Sequence, residues 1–410
     1  MRAQDLALQR DKYKHLSNEE WRWFLQQVEG RERTADKLPT FAAMEDWWYP
    51  VRLSCEQCSS ELTAKYKVQI VTKQFPISNG RFLDLTGGYG VDTYFLSEVF
   101  AHTDYVEQNA ELCRIAEHNI AIANKLSAVS VHNSTAEKFL PAAGMYDLIY
   151  LDPYRRDSHG GKVFRLEDCT PNIVELLPTL LQHLTPSGRI LLKLSPMLDI
   201  TQALKELLTN ACRWSVFVVA VKNEVKEVLL LSGGAETMTA IDLAKKEQAF
   251  VFTKEEEQRC SLVNGDCLWE NGDFLYEPNA AILKAGAYKL VAQRFGLRKL
   301  DVNTHLYVSD KQVDNFPGRV WTIQGSISSS KCQVKQANVL TRNYPLTPEQ
   351  LKKKLHLRDG GTTFVIGCRI NGKPSLLLCN KVSDHTENKV ACGLGICNGH
   401  GGGASDAPSE

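Results

Sequence analysis

Between Phe82 and Asp92 the chain reads Phe-Leu-Asp-Leu-Thr-Gly-Gly-Tyr-Gly-Val-Asp, placing the carboxylate of Asp84 at the end of an apolar stretch and a glycine-rich turn after it. Gly88 and Gly90 let main chain come close to a bound molecule, and a helix that starts after Gly90 offers it unpaired N–H groups. Seventeen residues beyond Gly90, Glu107 closes the next apolar stretch, where a carboxylate can accept two hydrogen bonds from a ribose diol. Asp152-Pro153-Tyr154-Arg155 closes a later one, at the kind of strand end where doubly wound sheets carry their reactive groups. The same four residues would also suit a plain strand end, with Arg155 and Arg156 paired to Asp157 and nearby acids.

Such residues need a scaffold, and the pattern from Gly80 onward supplies one. Segments 81–85, 104–107, 128–132, 146–151, 189–194, 214–221 and 227–231 read as seven strands, with helical stretches between the first five. One of these, 110–125, turns Leu112, Ile115 and Ile122 inward. The alternation predicts an α/β, doubly wound, Rossmann-like sheet over residues 75–235. Only Lys222 to Lys226 separate the last two strands, too few for a crossover helix, so these should form an antiparallel hairpin.

Residues 1–74 read as a helical segment. Ser17-Asn18 before Glu19 and Glu20 marks a helix start, and Trp21, Phe24, Leu25 and Val28 recur at helical spacing. A second helix begins at Ser59-Ser60 and sets Leu62, Tyr66 and Ile70 on one face. Beyond Gly233-Gly234 the character changes: 235–276 is strand-like with an acidic run at Glu255 to Glu257, and 279–295 is a helix stopped by Gly296. Short strands at 319–323, 363–370 and 375–380 then surround a helix at 347–355, an α+β arrangement. The tail from Gly393, with its Gly-Gly-Gly run, should be disordered.

A length of 410 residues suggests two or three domains, and 43% hydrophobic with 23% charged residues excludes a disordered or fibrous chain. No signal-peptide core opens the sequence, and no apolar run approaches the roughly 18 residues of a membrane span, so a cytoplasmic protein without membrane contact is expected. Twelve cysteines spread from Cys55 to Cys397 suit reduced thiols. Net charge is zero but uneven: acids outnumber bases from Glu98 to Glu175, and bases outnumber acids from Ala281 to Arg358. Clustered Lys and Arg favour a phosphate-rich partner, and Lys284, Lys289, Arg294, Arg298, Lys299, Arg342 and Lys352 to Lys354 are the candidates. The same charges would also suit plain solvated faces.

Together these motifs resemble the class I S-adenosylmethionine-dependent methyltransferases, and within them the bacterial RNA-modifying-like proteins with a THUMP-like C-terminal domain. The resemblance covers most of the chain. It rests on Ser59-Ser-Glu-Leu-Thr-Ala-Lys-Tyr-Lys67, Asp84-Leu-Thr-Gly-Gly-Tyr-Gly-Val-Asp92, Asp152-Pro-Tyr-Arg-Arg156, Glu167-Asp-Cys-Thr-Pro171, Lys193-Leu-Ser-Pro-Met197 and Asn338-Val-Leu-Thr-Arg-Asn-Tyr344. It implies S-adenosylmethionine as cofactor, with Asp84, Gly88 and Gly90 around its methionine part, Glu107 at its ribose, Asn133 to Thr135 at its adenine, and Thr86 and Asp92 as further cofactor-binding residues. Thr86 stands where the commonest motif has glycine, and Thr135 where an aspartate is more usual. Amino-methylating relatives carry Asp/Asn-Pro-Pro-aromatic at the fourth strand, holding an exocyclic amine toward the methyl sulfonium. Asp152, Pro153, Tyr154 and Arg155 occupy that place here, so they are the candidate catalytic residues. The closing hairpin separates such a sheet from those of nicotinamide-dependent dehydrogenases. The implied organisation is a helical segment 1–74, the catalytic domain 75–235, a linker and small ferredoxin-like module 236–318, a THUMP-like domain 319–392 and a tail 393–410.

Weaker signals lead elsewhere. Cys55 and Cys58 could form half of a zinc site with Cys392 and Cys397, although the second spacing is unfavourable and no metal is expected. Cys169 lacks the Pro-Cys context of a pyrimidine-attacking nucleophile. Trp47 and Trp48 suit a core or a cap over the cofactor mouth. The expected function is methyl transfer to RNA, transfer or ribosomal, with a base amino group favoured. A non-catalytic RNA-binding protein with a retained pocket is the first alternative, and a nicotinamide-dependent oxidoreductase the second.

Overall fold

The computed structural model describes residues 3–74, 79–125, 128–155, 165–208, 212–244, 249–261, 269–327 and 334–382; the expected disordered tail lies outside them. Contacts divide the chain into two compact units, the first made of residues 1–263, 278–296 and 315–318, the second of the remainder.

In the first unit, strands β1 (Arg81–Asp84), β2 (His102–Glu107), β3 (Val129–Asn133), β4 (Tyr146–Leu151), β5 (Leu184–Leu194), β6 (Trp214–Val221), β7 (Glu224–Ser232), β8 (Thr237–Asp242) and β9 (Phe250–Thr253) form one sheet. Its order is β9-β8-β6-β7-β5-β4-β1-β2-β3. The seven expected strands are all there, but the sheet has nine, because β8 pairs parallel to β6 and β9 antiparallel to β8. The hairpin of β6 and β7 does not end the sheet. Strand β7 inserts antiparallel between β5 and β6, its Leu229 opposite Lys193 and Phe217. Central strands are apolar on both faces, as a sheet covered on both sides requires: Phe82, Leu83, Leu148, Ile149 and Leu191 are fully buried.

Helix α1 (Asn18–Thr34) begins at the expected start, with a capping box in which Ser17 and Glu20 each bond the other's backbone. Helix α2 (Glu61–Gln74) departs from its expected face. Leu62 is 44% exposed and the inward row is Thr63, Ala64, Lys67, Ile70 and Val71. A fully buried lysine in that row is invisible to apolar periodicity, since its place depends on distant carboxylates. After the glycine turn comes the short helix α3 (Val91–Leu96), and helix α4 (Ala110–Ile122) turns Cys113, Ile115, Ala116 and Asn119 inward while Ile122 stays exposed. The acidic run forms a helix, α5 (Lys254–Arg259), not a strand. The helix expected over 279–295 is two, α6 (Ala280–Ala285) and α7 (Tyr288–Phe295), because Gly286 takes φ 85° and ends the first as Gly296 ends the second.

The second unit holds a seven-stranded sheet, ordered β11-β12-β10-β13-β16-β15-β14, built from β10 (Phe274–Pro278), β11 (Arg298–Asp301), β12 (Thr304–Ser309), β13 (Gly318–Ser326), β14 (Asn338–Arg342), β15 (Thr363–Ile370) and β16 (Lys373–Lys381). Helix α8 (Pro348–Leu355) buries Leu351 and Leu355 with Val365 and Leu376. No helix among the described residues is long and apolar enough to cross a membrane.

Candidate functional site

The carboxyl ends of β1, β2, β3 and β4 open on a cleft of about 330 Å³. Asp84, Thr86, Gly88, Gly90, Asp92, Glu107, Thr135, Asp152 and Tyr154 all line it. Two of the expected residues do not. The side-chain amide of Asn133 turns to the carbonyls of Glu107 and Gln108, at 3.0 and 3.1 Å, and Pro153 lies outside the lining. Arg155 contributes backbone to a short ladder with Cys169, and its side chain is outside the described residues.

The turn is shaped by one aromatic ring. A Cβ on Gly87 would sit 2.1 Å from the Tyr105 ring, so nothing larger than glycine fits there. The Tyr105 hydroxyl donates to the Gly88 carbonyl at 2.6 Å, and Gly88 and Gly90 take φ of 57° and 80°. Both are in the left-handed region that glycine adopts without strain. Asp84 is only 1% exposed and works on the turn itself, accepting from the Thr86 amide at 2.9 Å and from the Thr93 hydroxyl. Burial pushes its carboxyl up to about 7, against those two hydrogen bonds and helped by Asp92 and Asp152 nearby. Glu107 accepts from the Gly88 amide at 2.9 Å and the Asn109 amide at 2.8 Å. A carboxylate has about four lone-pair sites, so two remain for a diol.

Thr86, the departure from glycine, accepts a hydrogen bond from the backbone amide of Asp152 at 2.6 Å. The Asp152 side chain meets Lys193 of β5 through Oδ2. Behind this pair lies a group of charges that apolar patterning could not reveal. Lys67 of α2 is fully buried, 3.1 Å from Asp92 and 2.8 Å from Glu227 of β7, and donates to Ser59 at 3.1 Å. Asp92 also accepts from Ser59 and Tyr150, each at 2.7 Å. Asp92 Oδ1 and Glu227 Oε1 have no well-aligned hydrogen bond, and the ammonium of Lys67 is the cation in contact with both. Burial works to raise Asp92, but Lys67 and Lys193, together with the hydrogen bonds from Ser59 and Tyr150, outweigh it and keep it below the usual carboxylate range; for Glu227 burial wins and the carboxyl is pushed up. Lys67, Lys193 and Glu227 are functional-site neighbours that sequence reasoning missed; the segments Ser59 to Lys67 and Lys193 to Met197 were the signal.

The N-terminal segment supplies a wall as well: Ser54, Gln57, Cys58 and Ser59 line the cleft. Trp47 is core, donating to the Tyr89 hydroxyl at 3.0 Å, and Trp48 stacks on His118 at 3.7 Å. Burial raises Cys55 to about 12. No group of potential metal ligands occurs among the described residues, and Cys392 and Cys397 lie outside them. Cys169 is buried and its thiol points to the Arg165 carbonyl at 3.6 Å.

A crystal structure of a candidate methyltransferase from Porphyromonas gingivalis W83 is 33% identical to this chain, covers 90% of it, is itself covered over 92%, and superposes with a TM-score of 0.78. The chain belongs to its family. Within this class I methyltransferase family with a THUMP-like C-terminus, residues 274–317 match a ferredoxin-like domain and residues 319–381 a THUMP domain-like model. The S-adenosylmethionine-dependent methyltransferase of Agrobacterium tumefaciens is 19% identical, over 42% of this chain and 60% of its own, with a TM-score of 0.30. TrmN of Thermus thermophilus is 15% identical, over 42% and 48%, with a TM-score of 0.32. Likenesses as slight as those last two support no functional conclusion. Curated protein sequences give no match.

The basic residues are distributed differently from expectation. Lys284, Lys289 and Arg294 fall in the first unit, where Lys284 donates to the Leu198 carbonyl at 2.7 Å and Arg294 to that of Val251 at 2.8 Å. In the second unit Arg342 meets Glu277, Arg298 lies 3.7 Å from Asp273, Lys299 donates to the Val302 carbonyl at 2.6 Å, and Lys352 meets Asp359. Lys353 and Lys354 stand exposed on α8. Six of the nine therefore already have protein partners.

Proposed function

We propose that this chain transfers the methyl group of S-adenosylmethionine to an amino group of a base in RNA. The observation that carries the reading is the shared cleft, in which a glycine cradle and the Glu107 carboxylate face Asp152 and Tyr154. The cradle fits the cofactor: positive φ at Gly88 and Gly90 leaves main chain where a side chain would otherwise stand, and Glu107 retains capacity for the ribose hydroxyls. When bound, the cofactor supplies an electrophilic methyl on a sulfonium. Asp152 accepts from the exocyclic amine and fixes its orientation, and Tyr154 offers a ring beside the base, its hydroxyl accepting from Gln108 at 3.1 Å. Catalysis of this kind is chiefly positioning. The THUMP domain-like match and the exposed lysines of α8 support RNA, tRNA or rRNA, as the partner.

Nucleoside mass spectrometry of RNA from cells with and without the gene tests the activity: one methylated nucleoside should disappear with the gene, and unchanged spectra would end the RNA reading. Calorimetry tests the cofactor. Glu107→Ala should weaken S-adenosylmethionine by about 1–3 kcal/mol, roughly five- to a hundred-fold, and equal affinity in both proteins would remove the pocket assignment.

A further inference from the structure

We infer that Lys193 is the positioning residue of the methyl-acceptor site, holding Asp152 so that one chosen oxygen faces the substrate; the inference rests on reading the cleft as a site of methyl transfer to an amine. Asp152 follows β4 and is gripped twice. Its backbone amide donates to the Thr86 hydroxyl at 2.6 Å, which ties it to the cofactor turn. Its Oδ2 accepts from the Lys193 ammonium, which comes from the neighbouring strand β5. Among the described residues Oδ1 has no partner, and the side chain remains 37% exposed in the cleft. One oxygen is anchored and the other is free to accept.

Lys193 suits this task. Its side chain is 12% exposed, and it sits on a strand whose Leu191, Leu192 and Leu194 are buried, so the ammonium has little freedom to swing away. Burial opposes its charge, yet Asp152, Asp92 and Glu227 outweigh that effect and hold the lysine protonated. A permanently charged donor on Oδ2 directs the free lone pairs of Oδ1 into the cleft. The acceptor that fits such an oxygen must arrive with an N–H to donate, which a neutral exocyclic amine does and a ring nitrogen without hydrogen does not. Lys193 thereby selects the class of acceptor atom through Asp152 without touching the substrate.

The test measures kcat and KM for tritiated methyl transfer from S-adenosylmethionine to total RNA from cells lacking the gene, with cofactor affinity by calorimetry, for wild type, K193M, K193R, D152N and D152N/K193M. Expected is a fall in kcat of about a hundredfold in K193M, as misplacing a positioning group produces, with cofactor affinity within about twofold of wild type. K193R, which restores charge and donor, should recover at least about tenfold. On the D152N background K193M should cost less than about twofold more, because a residue acting through Asp152 has nothing left to act on. The inference is overturned by a K193M kcat near wild type, by a double variant equal to the product of the singles, or by parallel loss of cofactor binding in K193M and K193R, which would make Lys193 structural. A wild type that neither binds the cofactor nor transfers methyl removes the reading of the cleft and this inference together, whereas an active wild type with an active K193M removes only the role of Lys193.

Discussion

Thr86 links two functions in one side chain: it lies in the cofactor turn and its hydroxyl receives the amide of Asp152. Thr86→Val keeps the shape and removes the acceptor. A stability loss of about 1 kcal/mol is expected, read from urea unfolding, with methyl transfer reduced more than cofactor affinity. Equal losses in both would mean the hydroxyl serves only the fold. Asp84 gives a different signature. Burial lifts its carboxyl to about 7 in the folded protein, above an unfolded value near 4. Between those values the native state holds the proton and the unfolded state does not, so stability from this group is present at low pH and lost as pH rises toward and through 7. Asp84→Asn mimics the protonated form, and its Tm relative to wild type should therefore climb from pH 5 to pH 8. A constant difference across that range would mean Asp84 does not titrate there.

At the scale of elements, the buried ions join α2, α3 and β7: Lys67, Asp92 and Glu227 come from those three. Lys67→Met would remove the one cation that both carboxylates touch, leaving only the more distant Lys193, and breaking a buried pair on one side costs about 3–5 kcal/mol. Unfolding in urea should show a loss of that order, with protease cleaving the segment before β1 earlier than in wild type; a loss below about 1 kcal/mol would mean water or protonation replaces the lysine. This network also explains how far the sequence could be read. Strands β1 to β7 were legible because continuous apolar runs such as Tyr146–Leu151 report burial directly. The face of α2 was not, since Lys67 is inside for electrostatic reasons. Thr237–Asp242 and Phe250–Thr253 fall in the stretch that reads as strand-like, but their membership of the large sheet was not legible, because Gly233-Gly234 marks a change of character after β7. In the site, Asp84, the glycines, Glu107 and Asp152 could be picked out from position alone, whereas Lys193 could not: its partner lies 41 residues away. The periodicity of β3 does not show that the side-chain amide of Asn133 is taken by the carbonyls of Glu107 and Gln108.

For the whole molecule the charge distribution matters most. Only Lys353 and Lys354 of the run on α8 stand exposed, while Lys352 meets Asp359. If these two track phosphates, K353E/K354E should weaken RNA binding and flatten its salt dependence, by about 0.7 in log-log slope for each phosphate of a single strand that is no longer neutralised. Cofactor affinity should stay unchanged, since the cleft is lined by first-unit residues alone. Identical slopes in a filter-binding series would mean that these lysines touch no phosphate and that α8 merely shows a solvated face. The extension of the large sheet has a consequence of another kind. A strand with unpaired main chain at a sheet margin recruits strands from other chains. Here the margin next to β8 is taken by β9, only four residues long, and the chain leaves it at once into α5, whose Glu255, Glu256 and Glu257 crowd its first turn. The two added strands thus finish the sheet with a short rim, on which the Val251 carbonyl is already taken by Arg294 of α7.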